Sequence, residues 1–125
     1  MRFHHVGIAC RDINRTKEWV KKNYPVIDEG QTVFDPLQEA RVSLLRLVDG
    51  FSLELISGKP VEDFLKRGMS LYHVCYTVAD IQQTIRDLEK NGATLISPAK
   101  EAVLFNRKRV AFLHTPIGIV ELLEE

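Results

Sequence analysis

The chain states one pattern twice. His5-Val6, Asp12-Ile13 and Thr16 recur 68 positions later as His73-Val74, Asp80-Ile81 and Thr84. Val42-x-Leu44-Leu45 is answered by Val110-x-Phe112-Leu113 at the same offset, and Leu53-Glu54-Leu55 by Val120-Glu121-Leu122 at an offset of 67. Only two copies exist, and the period is too long for a solenoid unit, so the pattern is that of a duplicated supersecondary unit. At 125 residues the chain is expected to form one domain over 1–125 with a real core. Module one is expected over 1–58, a connector over 59–70 and module two over 71–125. Each copy opens with a histidine in an apolar run and closes with a glutamate in another.

Local signals give each copy the same order of elements. Residues 2–10 read as a strand, and Asp12 caps a helix over 13–23 with Ile13, Thr16 and Val20 on one face. Pro25 stops that helix. Residues 26–34 read as a strand and 35–39 as a loop. Strands over 40–48 and 51–57 are joined at Asp49-Gly50, a hairpin signal. A short helix over 61–67 follows Gly58-Lys59-Pro60 and stops at Gly68. The second copy has a strand over 71–79 and a helix capped by Asp80, with Ile81, Thr84, Ile85 and Leu88 on one face and Asn91-Gly92 at its end. Strands near 94–97, 108–114 and 118–124 complete it. Residues 98–107 read as the longest loop. The expected class is α+β, with a βαβββ unit in each half.

Four side chains sit where a core should be. His5 lies between Phe3 and Val6, Glu54 within Phe51–Ile56, His73 between Leu71 and Val74, and Glu121 within Ile119–Leu123. An ionised carboxylate in apolar surroundings costs at least several kcal/mol when unpaired. No Arg or Lys lies in these strand segments to offset two of them. Taken singly, each residue reads as a satisfied core polar group. Placed symmetrically by duplication, two imidazoles, two carboxylates and one divalent cation compensate one another. Such a nitrogen and oxygen donor set suits Zn, Ni, Co, Fe or Mn, and suits copper(I) poorly.

Composition narrows the partners. Seventeen basic and seventeen acidic residues leave no net charge, so no nucleic-acid footprint is expected. No stretch approaches the roughly 20 apolar residues of a membrane span, and the N-terminus has no secretory-signal pattern. Cys10 and Cys75 lack any CxxC spacing and point to a reducing, cytoplasmic setting.

With these positions in view, the chain resembles the vicinal-oxygen-chelate superfamily, which includes glyoxalase I, methylmalonyl-CoA epimerase, extradiol dioxygenases and resistance-type binding proteins. The resemblance rests on His5-Val6-Gly7-Ile8-Ala9-Cys10-x-Asp12-Ile13, Leu53-Glu54-Leu55-Ile56, His73-Val74 through Val78-x-Asp80-Ile81, and Val110–His114 with Val120-Glu121-Leu122. It implies two βαβββ modules curled into a half-barrel of mixed sheet. It implies His5, Glu54, His73 and Glu121 as ligands of one divalent metal ion. It also implies an activity: lyase or isomerase chemistry, in which the metal polarises a carbonyl or thioester and a carboxylate moves the proton on the neighbouring carbon. Glu121 is the first choice for that base and Glu54 the second. Arg107, Lys108 and Arg109 are expected to bind the acidic groups of a glutathione adduct or an acyl-CoA. Ser43 stands near the place on the third strand where some epimerases carry a further catalytic Glu, and is expected to face the substrate. His4 and His114 are expected to serve surface or packing roles, and Trp19 to lie in the core or at a dimer contact. A homodimer is expected. A non-enzymatic small-molecule binder and an extradiol dioxygenase are the alternatives, and the filled set of four positions favours the lyase or isomerase.

Overall fold

The computed structural model describes residues Met1–Glu125. The element order is β1 (Arg2–Ala9), α1 (Ile13–Asn23), β2 (Val26–Glu29), β3 (Val33–Asp35), β4 (Ala40–Leu47), β5 (Ser52–Gly58), α2 (Glu62–Lys66), β6 (Leu71–Val78), α3 (Ile81–Lys90), β7 (Thr94–Glu101), β8 (Arg109–Thr115) and β9 (Gly118–Glu124). The fold is α+β: one open, curled mixed sheet of nine strands in the order β2-β4-β5-β1-β6-β9-β8-β7, with β3 also beside β4. The order is symmetric about the antiparallel β1/β6 seam. On either side lies a parallel neighbour, β5 beside β1 and β9 beside β6. The duplication is therefore visible as a pseudo-twofold relation within one chain.

Each long helix forms where its cap and apolar stripe coincide. The Asp12 carboxylate accepts from the backbone N–H groups of Asn14 and Arg15, and Asp80 from that of Gln83, which satisfies donors a helix start leaves free. Ile13 and Val20 of α1 pack on Leu45, Leu47 and Leu55. Ile81 and Ile85 of α3 pack on Ala111, Leu113, Val120 and Leu122. Each fully buried Leu or Ile contributes roughly 1.5–3 kcal/mol. Both helices thus cover one face of the sheet and leave the other, concave face to the polar residues of β1, β5, β6 and β9. Trp19 lies on the uncovered side of α1, 58% exposed.

Two elements differ from the sequence expectation. The strand expected over 26–34 is two short strands. Between them Gly30 passes so close to β4 that a Cβ there would lie 2.8 Å from the Leu44 carbonyl oxygen. The buried Lys17 ammonium, 2.9 Å from the Gly30 carbonyl, holds that kink in place. The loop expected over 98–107 is largely structured: β7 runs on to Glu101 and a 3-10 turn follows over Val103–Phe105. Pro98 has no N–H to donate, and a register shift between Ser97 and Lys100 absorbs it. Asp35, fully buried, ties this strap to the first half. It accepts from the backbone N–H groups of Leu37, Gln38 and Val103 and from the Gln38 amide.

One glycine decides whether the seam can close. Gly7 pairs with His73 across β1/β6, and a Cβ at Gly7 would sit 2.3–2.6 Å from three atoms of the His73 ring. The ring lies directly over the bare backbone. Gly7→Ala is expected to lower stability by about 1–3 kcal/mol through overpacking. The check is a lowered urea midpoint at unchanged m value; a midpoint equal to wild type would show that the ring moves freely.

Candidate metal centre

Pleat and register place the four polar residues on one face. Gly7 pairs with Glu54 and with His73, and Cys75 pairs with His5 and with Glu121. Paired residues share a face, so His5, Glu54, His73 and Glu121 project into the concavity from four adjacent strands. All four are buried, at 0, 5, 4 and 1% exposure. Their donor atoms lie within 4.8 Å of one another. His5 Nε2 is 3.1 Å from His73 Nε2, 3.4 Å from Glu54 Oε1 and 3.1 Å from Glu121 Oε1. His73 Nε2 is 3.3 Å from Glu54 Oε1 and 3.2 Å from Glu121 Oε1.

These separations suit a common centre. Donors held at about 2.0–2.2 Å from one cation stand about 3.0–3.5 Å from their neighbours. Glu121 Oε1, despite two short contacts, has no aligned hydrogen bond and is buried. An orphaned carboxylate oxygen aimed into a knot of imidazole nitrogens is what a cation would satisfy. The residues present therefore fit a divalent metal and could hold one.

The cluster is strongly coupled electrostatically. Burial pulls the His5 and His73 pKa values down, but the facing carboxylates outweigh it and raise them to about 9 and about 10. Burial and the mutual repulsion of the two carboxylates push Glu54 up, yet the two imidazoles hold it below its ordinary value. Glu121 is likewise driven well below the usual carboxylate range by His73 and His5 against the cost of burial. Both glutamates are thus ionised at neutral pH. Cys75 lies under the cluster with its thiol pushed far up by burial and by Glu121, so it stays protonated.

Beside the cluster is a cavity of about 460 Å³, within the range of small-molecule sites. The rings of Tyr72 and Phe112 form its wall and lie 4.9 and 5.4 Å from the His73 ring. Tyr72 was not among the residues singled out from sequence, because strict alternation would turn it away from His73. A register shift between the Gly7 and Ile8 pairings brings its ring to the inner face. Burial and the charges of Glu121 and Glu54 push its phenol up to about 12, so the hydroxyl remains a proton donor. His114, exposed on β8, also lines the cavity. His4 is half-buried against His5, with 2.8 Å between their Nδ1 atoms.

The expected substrate cations are elsewhere. Arg109 is held on both oxygens of Glu124 at 3.0–3.2 Å. Arg107 is exposed, in a left-handed backbone conformation, 4.0 Å from Glu101. Lys108 is exposed, and none of the three lines the cavity. Its cationic side chains are Arg67 after α2 and Lys100 on β7. Ser43 pairs with Leu55, whereas Leu44 pairs with Glu54. The serine therefore sits on the helix-covered face, its hydroxyl donating to the Gly30 carbonyl at 2.9 Å.

Known proteins resemble the chain over nearly its full length. An ethylmalonyl-CoA/methylmalonyl-CoA epimerase of Cereibacter sphaeroides is 27% identical over 124 residues, which covers 90% of this chain and 87% of that protein. The crystal structure of methylmalonyl-CoA epimerase from Mycobacterium tuberculosis superposes with a TM-score of 0.80 at 23% identity, covering 98% of this chain and 87% of the other. Glyoxalase I from Zea mays superposes at 0.67 with 23% identity, and this chain spans only 42% of it. Both superpositions speak to the fold. The family model described as Glyoxalase/Bleomycin resistance protein/Dioxygenase superfamily matches residues 4–112, and the chain belongs to that superfamily.

Proposed function

We propose that this chain is a metal-dependent enzyme that moves a proton at the carbon next to a thioester, an epimerase of acyl-CoA substrates. The observation that carries the reading is the convergence of two imidazoles and two carboxylates at 3.1–3.4 Å beside a cavity of about 460 Å³. A sequence relative of matching length that is an acyl-CoA epimerase supports the substrate class. In this reading His5, Glu54, His73 and Glu121 hold one divalent ion of the Zn, Ni, Co, Fe or Mn group. Bound there, the ion supplies Lewis acidity that polarises the thioester carbonyl and acidifies the adjacent C–H.

The protein's own groups do the rest. Glu121, ionised and buried, takes the proton, and Glu54 returns one. A carboxylate with a depressed pKa is a weak base, so the transfer depends on how far the C–H has been acidified. The Tyr72 and Phe112 rings exclude water and hold the acyl end, and Arg67 and Lys100 bind an anionic group farther out. A glyoxalase I-type lyase acting on a glutathione adduct is the second reading, favoured by the presence of glutamate at both carboxylate positions. A homodimer in the cytoplasm belongs to the same proposal.

Three outcomes follow from this assignment. Glu121→Gln is expected to reduce substrate-dependent exchange of the α-proton for solvent deuterium by about 10²–10⁴-fold; full exchange would remove Glu121 as the base. Arg67→Ala with Lys100→Ala is expected to raise KM about 10- to 100-fold with little change in kcat, the loss of charge-assisted contacts of about 1.5–3 kcal/mol. Arg107→Ala should leave KM alone, and steady-state kinetics tests both. The third outcome concerns pH. Imidazoles raised to about 9 and about 10 stabilise the metal-free fold below pH 6.5, and that contribution fades as pH rises through those values. Metal uptake needs both rings neutral, so it must release protons at pH 7 and tighten with rising pH until about pH 10. Calorimetry in buffers of different ionisation enthalpy measures the release; none would contradict the assigned ligands.

A further inference from the structure

The two histidines of the cluster differ in what holds the far side of the ring. His73 Nδ1 is buried without a hydrogen-bond partner. His5 Nδ1 lies 2.8 Å from His4 Nδ1. Adjacent residues on a strand normally face opposite ways, but the β1/β6 register shifts between Phe3 and His5. That irregularity swings the His4 ring round to meet His5 at 5.1 Å between centroids, edge to face. Phe105, from the strap of the second half, braces both rings. It stacks on His5 at 5.5 Å and meets His4 edge-on at 5.6 Å.

From this geometry we propose that His4 is a positioning residue that orients His5 for metal binding. The inference rests on the metal-centre reading above. His5 turns Nε2 toward the other three donors. An imidazole that offers Nε2 as a lone pair carries its hydrogen on Nδ1. That N–H donates to His4 Nδ1, which can only accept, so His4 carries its own hydrogen on Nε2. The bond fixes the His5 ring plane before a cation arrives, and keeps the hydrogen on Nδ1 when Nε2 gives up its own to bind. Carboxylates and carbonyls usually play this part behind metal-bound histidines; here a neutral imidazole does so, held by a bulge and a phenylalanine.

Two substitutions separate orientation from packing. His4→Phe keeps an aromatic body against Phe105 but has no acceptor. His4→Asn loses the ring but carries an amide oxygen at the reach of Nδ1. Affinity for Zn(II) is read by competition with a chromophoric chelator, and the Co(II)-loaded proteins are compared by visible absorption. His4→Phe is expected to bind Zn(II) about 10- to 100-fold more weakly, with an altered Co(II) band. His4→Asn is expected to stay within about threefold of wild type, with the wild-type band. Wild-type affinity in His4→Phe overturns the assignment, as does a loss in His4→Asn equal to or larger than that in His4→Phe, which is the order a packing role gives. If wild type itself takes up no Zn(II) or Co(II), the metal-centre reading is what fails, and the role of His4 falls with it.

Discussion

Two ionised carboxylates buried on the inner face of a sheet set the terms for everything around them. Neither Glu54 nor Glu121 has a lysine or arginine partner, and the charges repel each other. Only the two facing imidazoles, or a cation in their midst, offset the cost of taking both out of water. The fold must therefore bring four donors from four strands to a single point. The symmetric sheet does this by pairing β1 with β6 and flanking each with a parallel neighbour. Duplication solves the problem economically, because one strand that places a histidine and one that places a glutamate suffice when used twice.

Symmetry alone would give a site with two identical halves, and the departures from it create the working differences. Gly7 gives the His73 ring a bare backbone to lie on, while His5 is gripped from behind by His4 and Phe105. The two imidazoles thus have different surroundings although both lie 3.1–3.4 Å from the carboxylates. The register shift near Leu71 adds the Tyr72 ring on the second side only.

The strap after β7 links the halves. Asp35 in the first half accepts the backbone N–H of Val103 in the second, and Lys100 reaches the Leu37 carbonyl. The same short segment carries Phe105 onto His5. The cavity, the polar cluster and the contact between the halves are therefore built from adjoining residues, which couples the integrity of the cluster to the docking of the two halves.

Periodicity and spacing were enough for the repeat, for both capped helices and for the strands that carry His5, Glu54, His73 and Glu121. These depend on local rules: Asp before a helix, side chains alternating along a strand, and equivalent places in duplicated units. The conformation of residues 98–107, the kink at Gly30, and the placement of the Tyr72 and His4 rings beside the cluster were not legible, because bulges arise from pairing across the sheet and break the alternation on which such reading relies. Ser43 was misplaced for the same reason: whether it or Leu44 shares a face with Glu54 is decided by one residue of register against β5. Arg109 looked free in sequence until the neighbouring strand brought Glu124 to it. Arg67 and Lys100, 33 residues apart, became cavity neighbours only through packing. The sequence by itself determined which chemistry-bearing groups the duplicated unit carries; the tertiary structure decided which of them meet, because strand register and long-range packing, rather than composition, set where a side chain points.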